Sequence, residues 1–332
     1  MIVYNGKDLS DYGVNAVGRG TYGAPSRDIE VVHVPGRNGD LLFDNGCFNN
    51  TTVEYPDCSI LDNFPVNFRA LVNFLMSSPG YHRLEDDYNP EEYRLARFIG
   101  PLAPDVHTAR NNRSGTFPLQ FDCQPQRWLK AGEQVMEIPL MRSSGNVRIF
   151  FTDSTRDHIV KISGNMSTLT YTLGSTSHTL SGNSHVIQVP SGYGYMDVTA
   201  NGIRDINYDN SNIRYDGWRI YIKNTGDFEA RPLWIIKPGV STFTFTAGTA
   251  EQAADPYRYY TKIQAANPSY DYYIDTETYA IYKTDGTTKT NAAAEISGDV
   301  PVFPSGEMVI YCAQGDITAD TRLRMIARTW RL

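Results

Sequence analysis

The sequence predicts a mainly β protein in two domains, the first a sheet or barrel with one helix and the second a sandwich or barrel. Three observations predict it. From Lys130 onward, apolar–polar runs recur about every ten residues, separated by turn signals such as Ser181-Gly182, Asn224–Gly226, Pro238-Gly239, Asp285-Gly286 and Ser305-Gly306, which is the spacing of short strands in an all-β domain. One stretch alone, Asn63–Met76, has a convincing helical period. The 332 residues are 41% apolar and 12% aromatic, enough for about two cores at roughly 150 residues each.

Taken in order, Met1–Asn5 reads as a short strand ended by Asn5-Gly6, and Gly18–Pro25 as a Gly-rich loop. Arg27–Asn45 then reads as a hairpin. Ile29, Val31, Val32 and Val34 are β-branched and suit a partly buried pleated surface. Pro35-Gly36 and Asn38-Gly39 form its tip, because proline presets one turn dihedral and Gly or Asn tolerates positive φ. Leu41–Phe43 return, and Thr51–Tyr55 is the next strand. Asn63 is placed to cap the helix and Pro65 to fit its first turn, while Phe68, Leu71, Val72 and Leu75 share one face. Phe117, Leu119, Phe121 and Cys123 alternate with polar residues and predict a half-buried strand. The first domain closes near residue 130.

The second domain is assigned strands at Val147–Phe151, Ile159–Ile162, Leu169–Leu173, Val186–Val189, Ile220–Ile222, Leu233–Ile236, Phe243–Phe245, Tyr272–Ile274, Tyr279–Tyr282 and Met308–Tyr311. Ala250–Ala254 is at most one helical turn. Arg142–Asp216 is richer in Ser, Thr, Asn and Gly than its flanks and reads as a small β module inserted in this domain.

Composition excludes several functions. The net charge is −7 and no Lys/Arg block occurs, so the clustered cations that nucleic acid requires are missing. No window nears 18 apolar residues, so no membrane span is expected. The N-terminus lacks a basic region followed by an apolar one, so no signal peptide is expected. Cys47, Cys58, Cys123 and Cys312 are scattered. Three pairings are open and none is favoured, so buried free thiols are expected.

The search for chemistry finds no Walker loop, dinucleotide fingerprint, nucleophile elbow or zinc helix. No enzyme activity and no cofactor are predicted. The six histidines never stand at ligand spacing with a second His or Cys. Asp205, Asn207 and Asp209 occupy positions 1, 3 and 5 of a calcium-loop spacing, with Asp216 at position 12. Position 6 is Asn210 rather than Gly, position 12 is Asp rather than Glu, and no helices flank it. A polar turn is the simpler reading and no metal site is predicted. Glu85, Asp86, Asp87, Glu91 and Glu92 make one acidic run, which reads first as a solvated loop and only second as a pair of hydrolase carboxylates. Tyr193, Tyr195, Tyr208, Tyr215 and Trp218 cluster around the inserted module and are the candidate saccharide platform.

Three separated stretches resemble the distal tail proteins of long-tailed, non-contractile phages. They are Arg27-Asp-Ile-Glu30 with Val34-Pro-Gly-Arg-Asn-Gly-Asp40 and Asp44-Asn-Gly46; Gly80-Tyr-His-Arg-Leu-Glu-Asp86 with Tyr93-Arg-Leu-Ala96; and a C-terminal set. That set runs from Asn224-Thr-Gly226 and Ala230-Arg-Pro232, through Ile274-Asp-Thr-Glu277 and Tyr282, to Phe303-Pro-Ser-Gly306 and Arg328–Leu332. The resemblance implies an N-terminal belt domain over residues 1–130 and a galectin-like β-sandwich over 131–332, with 142–216 as an insertion it does not cover. It also implies a homohexameric ring at the tail tip of a virion, assembled in the host cytoplasm. That ring would join the tail tube protein to the tail-associated protein and to receptor-binding or baseplate components. Insertions of this type act in related proteins as carbohydrate-binding accessories, which makes a host cell-wall saccharide the second expected partner. A ring needs two different patches per subunit. The expected pair is the hairpin tip, Arg37 and Asn38, against Glu85, Asp86 or Asp87 of a neighbour.

Overall fold

The computed structural model describes residues 1–332 except 18–21, 108–112, 143–144, 210, 266 and 313–316. Part of the Gly-rich loop and Asn210 of the calcium-like spacing therefore lie outside the described residues. The fold is mainly β, with two α-helices among the described residues, and no helix is long and apolar enough to cross a membrane. The chain divides into two compact units, Met1–Lys130 with Arg331–Leu332, and Ala131–Trp330.

In the first unit the strands are β1 (Ile2–Tyr4), β2 (Lys7–Asp8), β3 (Val14–Val17), β4 (Arg27–Val32), β5 (Leu41–Phe48), β6 (Thr51–Ile60), β7 (His82–Asp86), β8 (Glu92–Arg97), β9 (Asp105–Val106) and β10 (Gly115–Leu129). All but β4 and β5 belong to one sheet of order β2-β1-β7-β8-β10-β6-β3, with β9 beside β10. Its two end strands are joined only by the turn Leu9–Gly13. Laid flat, seven strands would put those ends about 29 Å apart at ~4.8 Å per step. Six residues of chain reach at most about 21 Å. The sheet must therefore curl, and its edges approach without pairing.

The expected strand over Phe117–Cys123 is the middle of β10, and its alternation holds: Phe117, Leu119, Phe121 and Cys123 are all buried. The strand runs further than the pattern suggested because it absorbs its prolines as bulges. Register shifts between Phe117 and Leu119, around Pro118, and between Cys123 and Arg127, around Pro125. A proline cannot donate to the ladder, and a bulge removes the need. Helix α1 (Phe64–Ser77) buries Phe64, Leu71 and Leu75, and Phe64 stacks on Phe68 at 5.0 Å. One detail corrects the sequence reading: Asn63 adopts φ 49° and its side chain makes no capping hydrogen bond. The first helical amide, Phe64 N, instead donates to Arg113 O at 3.1 Å.

The second unit holds three sheets, with six, five and nine strands. The nine-stranded sheet runs from Ser184–Val189 through His158–Gly164, Ile203–Tyr208, Ser211–Asp216 and Arg219–Lys223 to Glu307–Cys312, Thr242–Gly248, Thr261–Gln264 and Ile296–Gly298. Strands of 142–216 are thus hydrogen-bonded into the same sheet as later strands. One buried cluster contains residues of all three sheets, among them Ile149 and Val198, Ile206 and Ile310, and Trp234 and Met325. Trp234 is fully buried and donates from Nε1 to Pro301 O at 2.8 Å. Helix α2 (Ala250–Ala254) is a single turn, capped by Thr249.

Candidate functional site

The hairpin β4–β5 forms a sheet of its own. Its register sets Val31 opposite Leu42, Glu30 opposite Phe43 and Val32 opposite Leu41. Val31 and Leu42 thus lie on one face and Phe43 on the other. Ile29 is 45% exposed, Val31 55%, Leu42 66% and Phe43 54%. Val32 and Val34 are half-buried as expected of a partly buried surface, whereas Ile29 and Val31 with Leu42 and Phe43 are more exposed than expected. At the tip Gly36 and Gly39 take φ of 82° and 81°, a conformation that side-chain-bearing residues resist. Arg37 N donates to Val34 O at 3.1 Å, and His33 Nδ1 lies 3.0 Å from Asp40. Arg37 and Asn38 are both exposed. Cys47 is also exposed, against the expectation of a buried thiol, whereas Cys58, Cys123 and Cys312 are buried. Burial pushes the Cys58 and Cys123 thiols up to about 12.

The acidic run is a strand end and a turn, and its carboxylates are not equivalent. Glu85 bridges Arg83 and Lys130, each at 2.5 Å. Burial works against its charge, but the two cations hold its pKa below the ordinary value. Asp86 accepts from Tyr55 OH at 2.7 Å and from the amides of Tyr88 and Asn89. Glu92 is nearly buried beside Arg127 and Arg331. These groups fasten the β7–β8 hairpin, so Glu85 and Asp86 already have partners within the chain. Asp87 differs. Its side chain is 64% exposed and meets the amino group of Met1 at 2.6 Å.

The saccharide platform does not assemble as expected. Tyr208 and Tyr215 are buried and donate to Glu137 O at 2.8 Å and Pro139 O at 2.9 Å. Neither can present a ring face to a sugar. Tyr195 is 40% exposed, Tyr193 and Trp218 are half-buried, and no ring contact joins these three among the described residues. Tyr195 lies in the strand Tyr195–Thr199, which the sequence reading did not assign. Arg148 stands 4.1 Å over its ring and binds Asp197 at 2.7 Å. Beside them, Thr170 meets Thr179 and Thr172 meets Ser177 across the ladder.

The calcium-like spacing is a β-hairpin. Asp205 faces Arg214 across it, and Asp216 faces Arg219 of the following strand. Asp209 instead binds His158 at 2.9 Å and Arg156 at 3.0 Å. His158 is buried, stacked on Phe151 at 4.3 Å, with its other ring nitrogen on Asp153 O. No group of three or more potential ligands gathers among the described residues.

The class these features define is a mainly β protein of two compact units. No protein-family model and no curated protein matches the sequence. Its fold does match. The Dit protein of SPP1 (gp 19.1), described as a paradigm of the hub adsorption apparatus in phages infecting Gram-positive bacteria, aligns with a TM-score of 0.54 at 10% identity, over 98% of this chain and 96% of that one. The baseplate of phage P2 in its activated conformation with Ca aligns with a TM-score of 0.39 at 10% identity, over 96% and 92%. The chain has a Dit-like fold.

Proposed function

We propose that this protein is the structural hub of a phage tail tip, a homohexameric ring rather than an enzyme. Residues 1–130 act as the ring-forming belt and residues 131–332 as a galectin-like sandwich with 142–216 inserted. In the virion the ring joins the tail tube protein to the tail-associated protein and to receptor-binding or baseplate components, after assembly in the host cytoplasm. The observation that carries this reading is the hairpin. A chain that follows a hub protein's fold along 98% of its length keeps four large apolar side chains in water at Ile29, Val31, Leu42 and Phe43. Ile29, Val31 and Leu42 share one face of the hairpin, and exposed apolar surface of that kind marks an interaction site. With Glu85 and Asp86 engaged internally, Arg37 of one subunit is assigned to Asp87 of the next.

Light scattering on the purified protein, followed by negative-stain imaging, tests it. A mass six times that of the 37.3 kDa chain and an annular particle are expected. A monomer at all concentrations, also after addition of tube protein, overturns it.

A second reading is supported by the hydroxyl ladder beside Tyr195: Thr170, Thr172, Ser177 and Thr179 line the same face as Asp197. Such a face fits a cell-wall saccharide of the host. Sedimentation with purified cell walls should then fall in a Tyr195→Ala, Thr172→Val variant. Unchanged sedimentation rejects this second role and leaves the hub untouched.

A further inference from the structure

The second unit carries a small cleft of about 230 Å³ beside helix α2, and we propose that it is a binding site for a single uncharged sugar ring. The cleft lies outside residues 142–216 and shares no residue with the hydroxyl face beside Tyr195. It is independent of the ring reading.

The walls of the cleft are held by backbone bonds. Strand Ile296–Gly298 pairs with Thr261–Ile263. Just past it, Asp299 N donates to Tyr260 O at 2.7 Å, and Thr261 Oγ1 donates to Asp299 O at 2.6 Å. Gly298 stands at φ 96°, and a Cβ there would lie 2.0 Å from Tyr260 O, so glycine alone allows this approach. Pro301 is buried, and its carbonyl is anchored to the core by the Trp234 indole. Gln252 also lines the cleft. It closes the capping box of α2, with its Oε1 accepting from Thr249 N at 2.8 Å. A Cβ at Gly248 would lie 2.1 Å from that oxygen, so the glycine leaves room for the amide.

These fixed walls present what a sugar takes. Tyr259 and Tyr260 are half-buried and bring two aromatic rings with their hydroxyls, and Val300 and Val302 add apolar surface. The Asp299 carboxylate only accepts hydrogen bonds, and Gln252 Nε2 only donates them. Neither has a partner among the described residues. A pyranose has apolar C–H faces and a rim of hydroxyls that both donate and accept, so it meets rings, carboxylate and amide together. Charge decides against the alternatives. No Lys or Arg lines the cleft among the described residues, so an anion would face Asp299 with nothing to compensate it. An organic cation would suit Asp299 but would also face the Nε2 donor, and Arg258 already stands 5.1 Å over the Tyr259 ring. The volume lies below the roughly 300–1,000 Å³ of pockets for drug-sized ligands, which is room for one ring.

Saturation-transfer NMR on the full-length protein tests the site. The probes are the methyl glycosides of glucose, galactose, mannose and N-acetylglucosamine, with choline and glycerol 3-phosphate as the cationic and anionic comparisons. The expected result is transfer to at least one glycoside and to neither charged probe. Asp299→Ala should weaken that binding roughly tenfold, since a hydrogen bond to a charged group is lost. Asp299 is exposed, so this variant keeps its core. Tyr260→Leu removes the ring and keeps an apolar side chain, and it should weaken binding by a similar factor. Transfer to no glycoside, or stronger transfer to choline, overturns the proposal. Glycoside binding that survives in both variants and falls in Tyr195→Ala overturns it too, and assigns the sugar to the hydroxyl face. The light-scattering mass of the same samples reads the ring separately, so a failed sugar site leaves the ring standing.

Discussion

The molecule contains two hairpins that are built alike and end differently. Arg27–Val32 with Leu41–Phe48 and Ile203–Tyr208 with Ser211–Asp216 are both antiparallel and both interleave large apolar residues with polar ones. In the second, Ile203, Ile206, Tyr208, Ile213 and Tyr215 are buried, and both outer edges continue into a nine-stranded sheet. In the first, the corresponding apolar residues face water and both outer edges are open. The same local chemistry therefore serves two ends. One hairpin contributes to the stability of its own unit, and the other leaves its apolar side chains in water.

The largest expected effect on stability lies in the internal hairpin. Ile213 is fully buried, so Ile213→Ala should cost about 2–5 kcal/mol, the transfer of the lost methyl and methylene groups plus the cavity they leave. The midpoint of urea unfolding reads it. A loss below about 1 kcal/mol would mean the site collapses freely and the two hairpins differ less than their burial suggests. Next comes Tyr208→Phe. The ring still fills its place, but Glu137 O loses its donor in a buried setting, which should cost about 1–3 kcal/mol. A neutral result would show that water reaches that carbonyl.

What the sequence revealed, and what it hid, follows the same division. Strands with clean alternation, such as Phe117–Cys123 and Leu169–Leu173, were legible because one face meets a core. Thr176–Ser181 was not, because it is a sheet-end strand of hydroxyls that needs no apolar stripe. Ile203–Tyr208 was not assigned as a strand because Asp205, Asn207 and Asp209 alternate with Ile206 and Tyr208, and polar spacing of two fits a polar turn or a calcium-loop spacing as well as a strand. Arg322–Ile326 was missed although Leu323 and Met325 alternate with Arg322 and Arg324; Arg324 binds Asp271, and Glu137 binds Arg322. Burial outweighs the arginines and raises the Glu137 carboxyl above its ordinary range. Of the candidate site, the hairpin and its tip were legible. Its exposure was not, since periodicity reports that a face is apolar but not what covers it. The engagement of Glu85 and Asp86 was hidden because Lys130 and Tyr55 lie far away in sequence.

Ion pairs sharpen the comparison on a smaller scale. Arg27 and Asp44 on the exposed hairpin are 59% and 47% accessible, and such pairs contribute little. Asp275 and Arg328 in the second unit are 24% or less accessible and meet at 2.7 Å. Burial opposes the charge on Asp275, yet Arg328 and the amides of Glu277 and Thr278 lower its pKa from 3.8 to about 2. A carboxylate depressed in the folded state stabilises the fold above its unfolded pKa, and that contribution is lost as pH falls through the folded value. The window is therefore about pH 4 down to about pH 2. Asp275→Asn should lower stability at pH 7 and flatten the acid limb in that window, measured by denaturant midpoints across pH. Wild-type and variant curves that stay parallel down to pH 2 would assign the acid sensitivity to other carboxylates.

The smallest expected effect on stability is at the free hairpin. At protein concentrations where the chain is monomeric, Leu42→Ala should change the unfolding free energy by no more than about 0.5 kcal/mol, as at other surface positions. Its side chain is 66% exposed and gives up little on truncation. The same substitution should weaken self-association, because apolar area removed from water at an interface contributes about 25 cal/mol per Å². Concentration-dependent light scattering reads the second quantity while urea unfolding at dilution reads the first. A residue that matters to association and not to its own unit is what separates this hairpin from Ile203–Asp216. If Leu42→Ala instead cost as much as Ile213→Ala in the monomer, the hairpin would be folded back onto its own unit in solution, and its apolar faces would belong to an internal core.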